Sequence, residues 1–453
     1  MSSTTATIEN TDRAVVIGAS IAGLAAAQAL SDTFAQVTVV ERDVLPAGAG
    51  HRRAVPQDKH VHSLLAAGAI ALENLFPGFG DDMVLAGAVP FWSGVDWYLD
   101  GHRIQAPPQR GRGVVSSRSL LESILRDRVA ALPNVTFVDN CAVLNPVATT
   151  DRRHVTGVLL ASQARGGTPT LLPADLVVDA SGRGGRSAIW LTELGFQPPR
   201  ESRMTVETTY VTRSYRREPQ HLDGRPGTIV SPFPGSPCGG FLLAQENDEF
   251  IFTIGGLFGA QPPMDDDALL TFAQSLPVDD FADFLRTATR ISDPVKMRYP
   301  TSVRRHYEEL DEFPAGYLVL GDAVCSFNPV HGHGMSIAAM SAVILRDLLA
   351  VGPNDLAQRF FRAVAGPIEA TWTFATRMDS RFPASGAAPT LESRLLDRYI
   401  ARMARAAATD DLVAAAVVSV LQLTATPDTL LAPAVLGRVL RHMSESAMAG
   451  ESR

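Results

Sequence analysis

Lysine is nearly missing from this chain: the 40 basic residues include only Lys59 and Lys296, and the rest are arginine. A mechanism needing a lysine nucleophile or proton donor has two candidates at most. Cysteine is scarce too, with Cys141, Cys238 and Cys325 forming no CxxC and no zinc-ligand spacing. So sparse and odd a set carries no disulfide framework and suits a reducing compartment, so a cytoplasmic protein is expected. Basic charge is not in excess: 48 acids outnumber the bases and the net charge is −8, which argues against a surface for nucleic acid. No run of about 18 apolar residues occurs, so no transmembrane segment is expected. The apolar stretches 411–423 and 430–440 are too short to span, and packing on a core suits them better than membrane contact. Residues 1–13 are polar and carry acids, unlike a signal peptide.

What is present is an ordinary globular composition, 46% apolar and 19% charged over 453 residues, enough for two or three domains. RAVVIG (13–18) reads as a buried strand, IAGLAAAQALS as a helix and AQVTVVERD as a second strand, together a βαβ unit. Residues 119–132 have helical spacing. Residues 134–147 read as extended, and 173–180 as another buried strand. Alternation over 204–215 and 241–257, with a turn at Glu246-Asn247-Asp248, predicts an antiparallel sheet. YLVLG (317–321) returns to the first domain and a helix follows over 335–349. The last hundred residues read as helical, broken near 382–389.

Two motifs carry chemistry. The first is Gly18-Ala19-Ser20-Ile21-Ala22-Gly23, a GxGxxG with serine at its second glycine. Gly18 suits the tight turn, Gly23 lets helix and strand pack closely, and the helix N-terminus can hold a pyrophosphate. The hydroxyl of Ser20 can add a hydrogen bond. Glu41 closes the second strand, where a carboxylate accepts ribose hydroxyls and repels a 2′-phosphate, so FAD or NAD is expected rather than NADP. The second motif runs from Gly321-Asp322 through Cys325, Pro329, His331, Gly332, His333 and Gly334 to Met335. Asp322 can hold ribityl hydroxyls. Pro329 directs the chain beside a flat ring, and Gly332 and Gly334 let backbone approach it. A helix starting near Met335 would aim its positive end at the ring.

With these motifs in this order, the sequence resembles the class A flavoprotein monooxygenases of the p-hydroxybenzoate hydroxylase fold. Over 53–62 and 321–335 it is similar to squalene-epoxidase-like bacterial enzymes that epoxidise polyene intermediates of polyether antibiotics. The resemblance implies an α/β architecture: a discontinuous Rossmann-like FAD-binding domain (12–200 and 290–350), an inserted antiparallel-sheet substrate domain (201–289) and a helical C-terminal region (351–453). It implies that reduced FAD meets O2, forms a C4a-hydroperoxide and transfers one oxygen atom to a small lipophilic secondary metabolite, with alkene epoxidation foremost and aromatic hydroxylation second. It places Arg42 near the nucleotide, Arg53 on the pyrophosphate, Arg118 near the flavin and Val143 beside adenine. No catalytic side chain and no metal are implied.

The sequence also departs from the family. Its middle motif usually holds an Asp-Gly pair, but here reads Asp179-Ala180-Ser181-Gly182-Arg183. This leaves the electron donor open between NADPH or NADH acting directly and a partner flavin reductase. His331 and His333 read as loop histidines facing solvent or the ring, with proton delivery as the sharper alternative. Cys325 reads as a small buried residue. Phe233, Phe241 and Phe252 are expected around the substrate. A flavin halogenase would carry WxWxIP, but Trp92 and Trp97 are five apart and Trp190 precedes LTELG. A flavin-dependent double-bond reductase remains an alternative, as does a catalytically inactive flavin-fold binding protein.

Overall fold

A computed structural model of the chain describes residues 12–450 except 91–93, 106–112 and 163–167, with side chains described up to residue 442. Trp92 lies outside the described residues. Five short parallel strands form the central sheet in the order Tyr317–Val319, Leu176–Asp179, Arg13–Ile17, Gln36–Val40, Val135–Val138. Four of the five residues of Arg13–Ile17 are buried, as expected of a parallel strand covered on both faces. Helices Ile21–Ser31, Ala66–Leu75 and His333–Val351 pack together over one face. On the other, a three-stranded antiparallel sheet (Cys141–Ala148, Val155–Ser162, Thr170–Pro173) contributes Val155, Val158 and Leu160 to the same core.

The register matters most for function. Ile17 pairs with Val40 on one side and Asp179 on the other, and Asp179 pairs with Val319. The strands therefore end level, so the Gly18 turn, Glu41, Ala180-Ser181 and Gly321-Asp322 share one carboxyl edge. The order reverses direction at Arg13–Ile17, the switch point where open α/β sheets take ligands.

The expected antiparallel sheet has eight strands, and it extends beyond 201–289. Arg200–Arg216, Gly227–Val230, Cys238–Gln245 and Glu249–Gly256 are joined by Val295–His306 and Cys325–Ser326 at one edge and by Asp96–Leu99 and His102–Arg103 at the other. The turn at 246–248 is present, with Gln245 paired to Glu249 and both Asn247 and Asp248 at positive φ. The run 134–147 is two strands in two different sheets, separated by Asn140 at φ 52°.

The two faces of this sheet differ. Phe250, Phe252 and Ile254 pack under helices Asp266–Gln274 and Asp280–Thr287. Ile251, Thr253 and Phe241 face the Rossmann-like part, where Val61 lies. The C-terminal helices Leu391–Ala407, Asp411–Leu421 and Pro433–Gly450 enclose a separate core with Leu99 and Ile104. One helix among the described residues, His333–Val351, is long and apolar enough to cross a membrane. No uninterrupted apolar run betrays it, because Arg346 and Asp347 break the sequence; it lies in the core against Ile21–Ser31 and Ala66–Leu75.

Phe252 is 1% exposed, with its ring 5.2 Å from that of Phe281 and 6.4 Å from that of Tyr215. Phe252→Ala should lower stability by about 3–5 kcal/mol in urea unfolding, as large-to-small changes in closed cores do.

Candidate functional site

The first cluster forms at the start of helix Ile21–Ser31. Gly18 has φ 102°, and a Cβ on Gly23 would lie 1.8 Å from the Gly18 carbonyl oxygen, so a side chain there would break the turn. Ser20 is the N-cap residue, yet its side chain does not cap the helix. Its hydroxyl instead donates to Glu122 Oε2 (2.7 Å) and accepts from Arg118 Nη2 (2.9 Å). The buried Glu41 accepts from the Ala19 N–H at Oε2 (2.9 Å) and from the Asp43 N–H at Oε1 (3.0 Å).

The guanidinium on this cluster is that of Arg52. It bridges Glu41 and Glu122 and donates to the Ala19 carbonyl (3.0 Å). Its pKa is raised although burial opposes its charge, because both carboxylates favour the cation. Arg53, expected on the pyrophosphate, is exposed, as is Arg42. The Arg52 backbone N–H donates to buried Asp58 (2.8 Å), which pins this loop where the Arg52 guanidinium meets both carboxylates. Val143 is half-buried in Cys141–Ala148, two residues beyond the Cys141 N–H that donates to the Glu41 carbonyl (2.9 Å).

The second cluster adjoins the first through Arg118. Asp322 feels Arg118 and Arg183, yet burial raises its pKa above the usual carboxylate range. A Cβ on Gly334 would lie 3.4 Å from Asp322 Oδ1, and one on Gly321 would lie 2.7 Å from the Ala22 Cβ, so the two motifs touch. The Arg183 guanidinium lies 4.3 Å from the Tyr299 ring centroid. Pro329 is exposed, Gly332 has φ 70° and starts the helix His333–Val351, and Met335 is buried. Cys325 is 3% exposed, and burial pushes its thiol well above its ordinary pKa.

Stretch 53–62 runs between these clusters and the large sheet. His60 Nδ1 lies 2.7 Å from Thr212 Oγ1, and its ring meets that of Tyr210 edge-on at 4.6 Å. Burial, then Lys59, pushes its pKa down to about 4. Burial, then Arg118, pushes that of His62 to about 3.

The middle motif does not recover its missing acid from Asp179. That carboxylate is fully buried: Oδ1 accepts from the Ser181 N–H (2.9 Å), and Oδ2 from Ser187 and from Tyr317 (3.3 Å). It braces the strand end.

A cavity of about 60 Å³ lies across the 328–334 loop, among the eight-stranded sheet, helix Leu356–Ser380 and Leu421. Trp97, Leu257, Phe374 and Phe382 give it apolar walls; His331, His333 and Asp379 give it a polar one. None of the three expected rings lines it: Phe252 is in the opposite core, Phe241 lies on the inner sheet face, and half-buried Phe233 is adjacent to the lining Pro232. The histidines do not face solvent. His331 Nε2 lies 2.9 Å from Asp379 Oδ1, and the two imidazoles stack at 5.5 Å. Asp379, Glu122 and Arg52 escaped the sequence reading. Only Glu122 left a trace, four residues after Arg118 on one helix face.

The residues fit FAD. Gly18 and Gly23 admit no Cβ, no side chain caps the helix, and Arg118 Nε is buried without a hydrogen-bond partner. The class is clear from the arrangement: a Rossmann-like domain with a large antiparallel sheet and helical C-terminal region, the flavin-dependent monooxygenase-type fold. Solved structures share it. The flavin-dependent brominase Bmp2 aligns with TM-score 0.65 and 16% identity over 97% of this chain and all of that one. A flavoprotein/dehydrogenase from Cytophaga hutchinsonii aligns with TM-score 0.67 and 15% identity over the same shares. A sequence model described as an NAD(P)-binding Rossmann-like domain matches residues 16–75. Protein Rv3254 of Mycobacterium tuberculosis is 36% identical over 83% of this chain and 82% of its own length, and the chain belongs to its family. Kynurenine 3-monooxygenase of Salinispora tropica is 26% identical over 76% of this chain and 74% of its own length.

Arg52→Ala should cost about 3–5 kcal/mol in chemical denaturation, because it leaves two buried carboxylates facing each other. Arg53→Ala should stay within about 0.5 kcal/mol. His60 makes stability fall with acid. Its folded pKa lies below 6.5, so the unfolded chain takes the proton first, and about 3 kcal/mol is lost as pH drops from 6.5 to about 4. His60→Gln should flatten that part of the stability–pH curve.

Proposed function

We propose that this chain is an FAD-dependent monooxygenase that inserts one atom of O2 into a small lipophilic molecule. The observation that carries this reading is the meeting of the two motifs: Arg118 reaches Ser20 of the first and acts on Asp322 of the second, Gly334 adjoins Asp322, and a mostly apolar cavity lies across the same loop. Bound FAD, once reduced, supplies the activation of oxygen. The chain supplies the rest. Glu41 takes ribose hydroxyls, the open N-terminus of Ile21–Ser31 and Arg118 take phosphate charge, and Asp322 takes ribityl hydroxyls. Apolar walls exclude water from the reacting centre.

Hydroxylation of an electron-rich ring is the foremost reaction. The cavity has a polar wall, which an alkene does not need, and a relative is named a kynurenine 3-monooxygenase. The similarity of 53–62 and 321–335 to polyene epoxidases favours epoxidation as the second reading. Reducing equivalents come from NADPH or NADH, directly or through a flavin reductase.

The purified protein should show flavin absorbance near about 370 and 450 nm. Asp322→Ala should lose most of it. Anaerobic NADPH or NADH should bleach the bands, and air should restore them with oxygen uptake. Bleaching without oxygen uptake in the presence of a turnover substrate would move the reading to a double-bond reductase. Protein that stays colourless after added FAD would overturn it in favour of a binding protein.

A further inference from the structure

Helix Leu391–Ala407 buries one face and leaves the other to solvent. Ile400, Met403, Ala404 and Ala407 enter the core it shares with Asp411–Leu421 and Pro433–Gly450. At 3.6 residues per turn, Leu391, Arg394, Leu395, Arg398, Arg402 and Arg405 fall within roughly 100° of one another on the opposite side. Leu391 and Leu395 are 74% and 55% exposed; Arg394, Arg398 and Arg405 are exposed and Arg402 is half-buried. Among the described residues no carboxylate pairs with any of these four guanidiniums. By contrast, Arg377, Arg381 and Arg438 of the adjoining helices hold Glu392, Asp397 and Asp410. Acids outnumber bases in this chain and its net charge is −8, yet one helix face carries four like charges three or four residues apart. Like charges at that spacing repel and destabilise their own helix, so the row is not there to support the fold.

An anionic partner relieves the repulsion, and a protein suits the stripe better than a membrane. No aromatic ring stands among the exposed residues of the helix: Tyr399 is half-buried, its hydroxyl on the Leu430 carbonyl. Glu392 and Asp397 border the stripe, one on each side, and a flat anionic surface would meet them as well. The stripe is about 21 Å long and one helix wide, the footprint of another helix. We infer that this face docks an acidic helix of a partner protein. Carboxylates spaced three or four residues apart on that helix receive the forks of Arg394, Arg398, Arg402 and Arg405, and its apolar residues cover Leu391 and Leu395. The leucines, one turn apart, anchor one end, and the arginines set the register. None of these six residues lines the cavity, and the inference stands apart from the proposed monooxygenase activity.

The test is fluorescence anisotropy of the full chain with two labelled alanine-based peptides of about 20 residues, long enough to hold a helix. One carries glutamates four apart along one face with leucines at the end of that face; the other carries the same residues scattered around the helix. The first should bind at least tenfold tighter than the second, and its affinity should fall at least tenfold between about 0.05 and 0.5 M salt. Arg398→Glu with Arg402→Glu should abolish the preference. Leu391→Ser with Leu395→Ser should weaken the first peptide about fivefold and leave its salt dependence unchanged. Circular dichroism should show both variants folded, since the altered side chains lie at the surface; if the charge-reversed one is not, the two peptides on the unaltered chain still decide. Equal binding of the peptides, or a preference that survives the charge reversal, overturns the inference. So does sedimentation with phosphatidylcholine vesicles containing about one-fifth phosphatidylglycerol that is lost on charge reversal while neither peptide is preferred, which assigns the stripe to a membrane instead.

Discussion

Arg52 lies between two carboxylates, Glu41 and Glu122, with all three side chains out of water. Neither carboxylate is tolerable there alone, and a guanidinium offers the planar donors that can serve both at once. The consequence is positional. Glu41 belongs to the end of the second strand, Glu122 to helix Arg118–Ala130, and the Ala19 carbonyl that Arg52 also meets belongs to the glycine turn. One side chain thus ties together three pieces of backbone at the carboxyl edge of the parallel sheet. Because Glu122 engages Ser20, the serine hydroxyl is drawn away from capping its own helix. The first turn of that helix keeps its positive end for an anion.

The same edge is defined sterically. The parallel register ends four strands at one level, and the turns that leave them must fit in one small space. Gly18 sits against the Ala180 carbonyl, Gly23 against Gly18, and Gly321 against Ala22. Gly18 and Gly23 pack against backbone and Gly321 against the Ala22 methyl, which leaves no latitude for a side chain, so these glycines are fixed by geometry before any ligand is considered.

Much of this was legible in the sequence because it depends on local pattern. The strand–turn–helix–strand unit, Glu41, and the Gly321–Met335 loop are adjacent in the chain, and period and turn chemistry find them. The choice of Arg52 over Arg53 was not legible. Both are arginines in one loop, and only contacts with residues elsewhere in the fold, Glu41 and Glu122 on the guanidinium and Asp58 on the backbone N–H, distinguish the one that turns inward. The eight-stranded sheet exceeded its expected span for the same reason. Asp96–Leu99 pairs in parallel with Gly227–Val230 across more than a hundred residues, and nothing in either segment announces the partner. Asp379 sits in an amphipathic helix where an acid ordinarily faces water. Only the arrival of Asn328 and His331 beside it makes it part of a site.

That arrival gives the 328–334 loop two faces. Gly334 turns toward Asp322 and the nucleotide cradle, while His331 and His333 turn toward Asp379 and the cavity. Seven residues separate the two chambers, and both ends of the loop are fastened: Asn328 to Thr208 and Asp379, and His333 into the first turn of a core helix. The histidines, which in sequence look like additions to a glycine loop, therefore face the cavity, while the glycine that follows them faces Asp322.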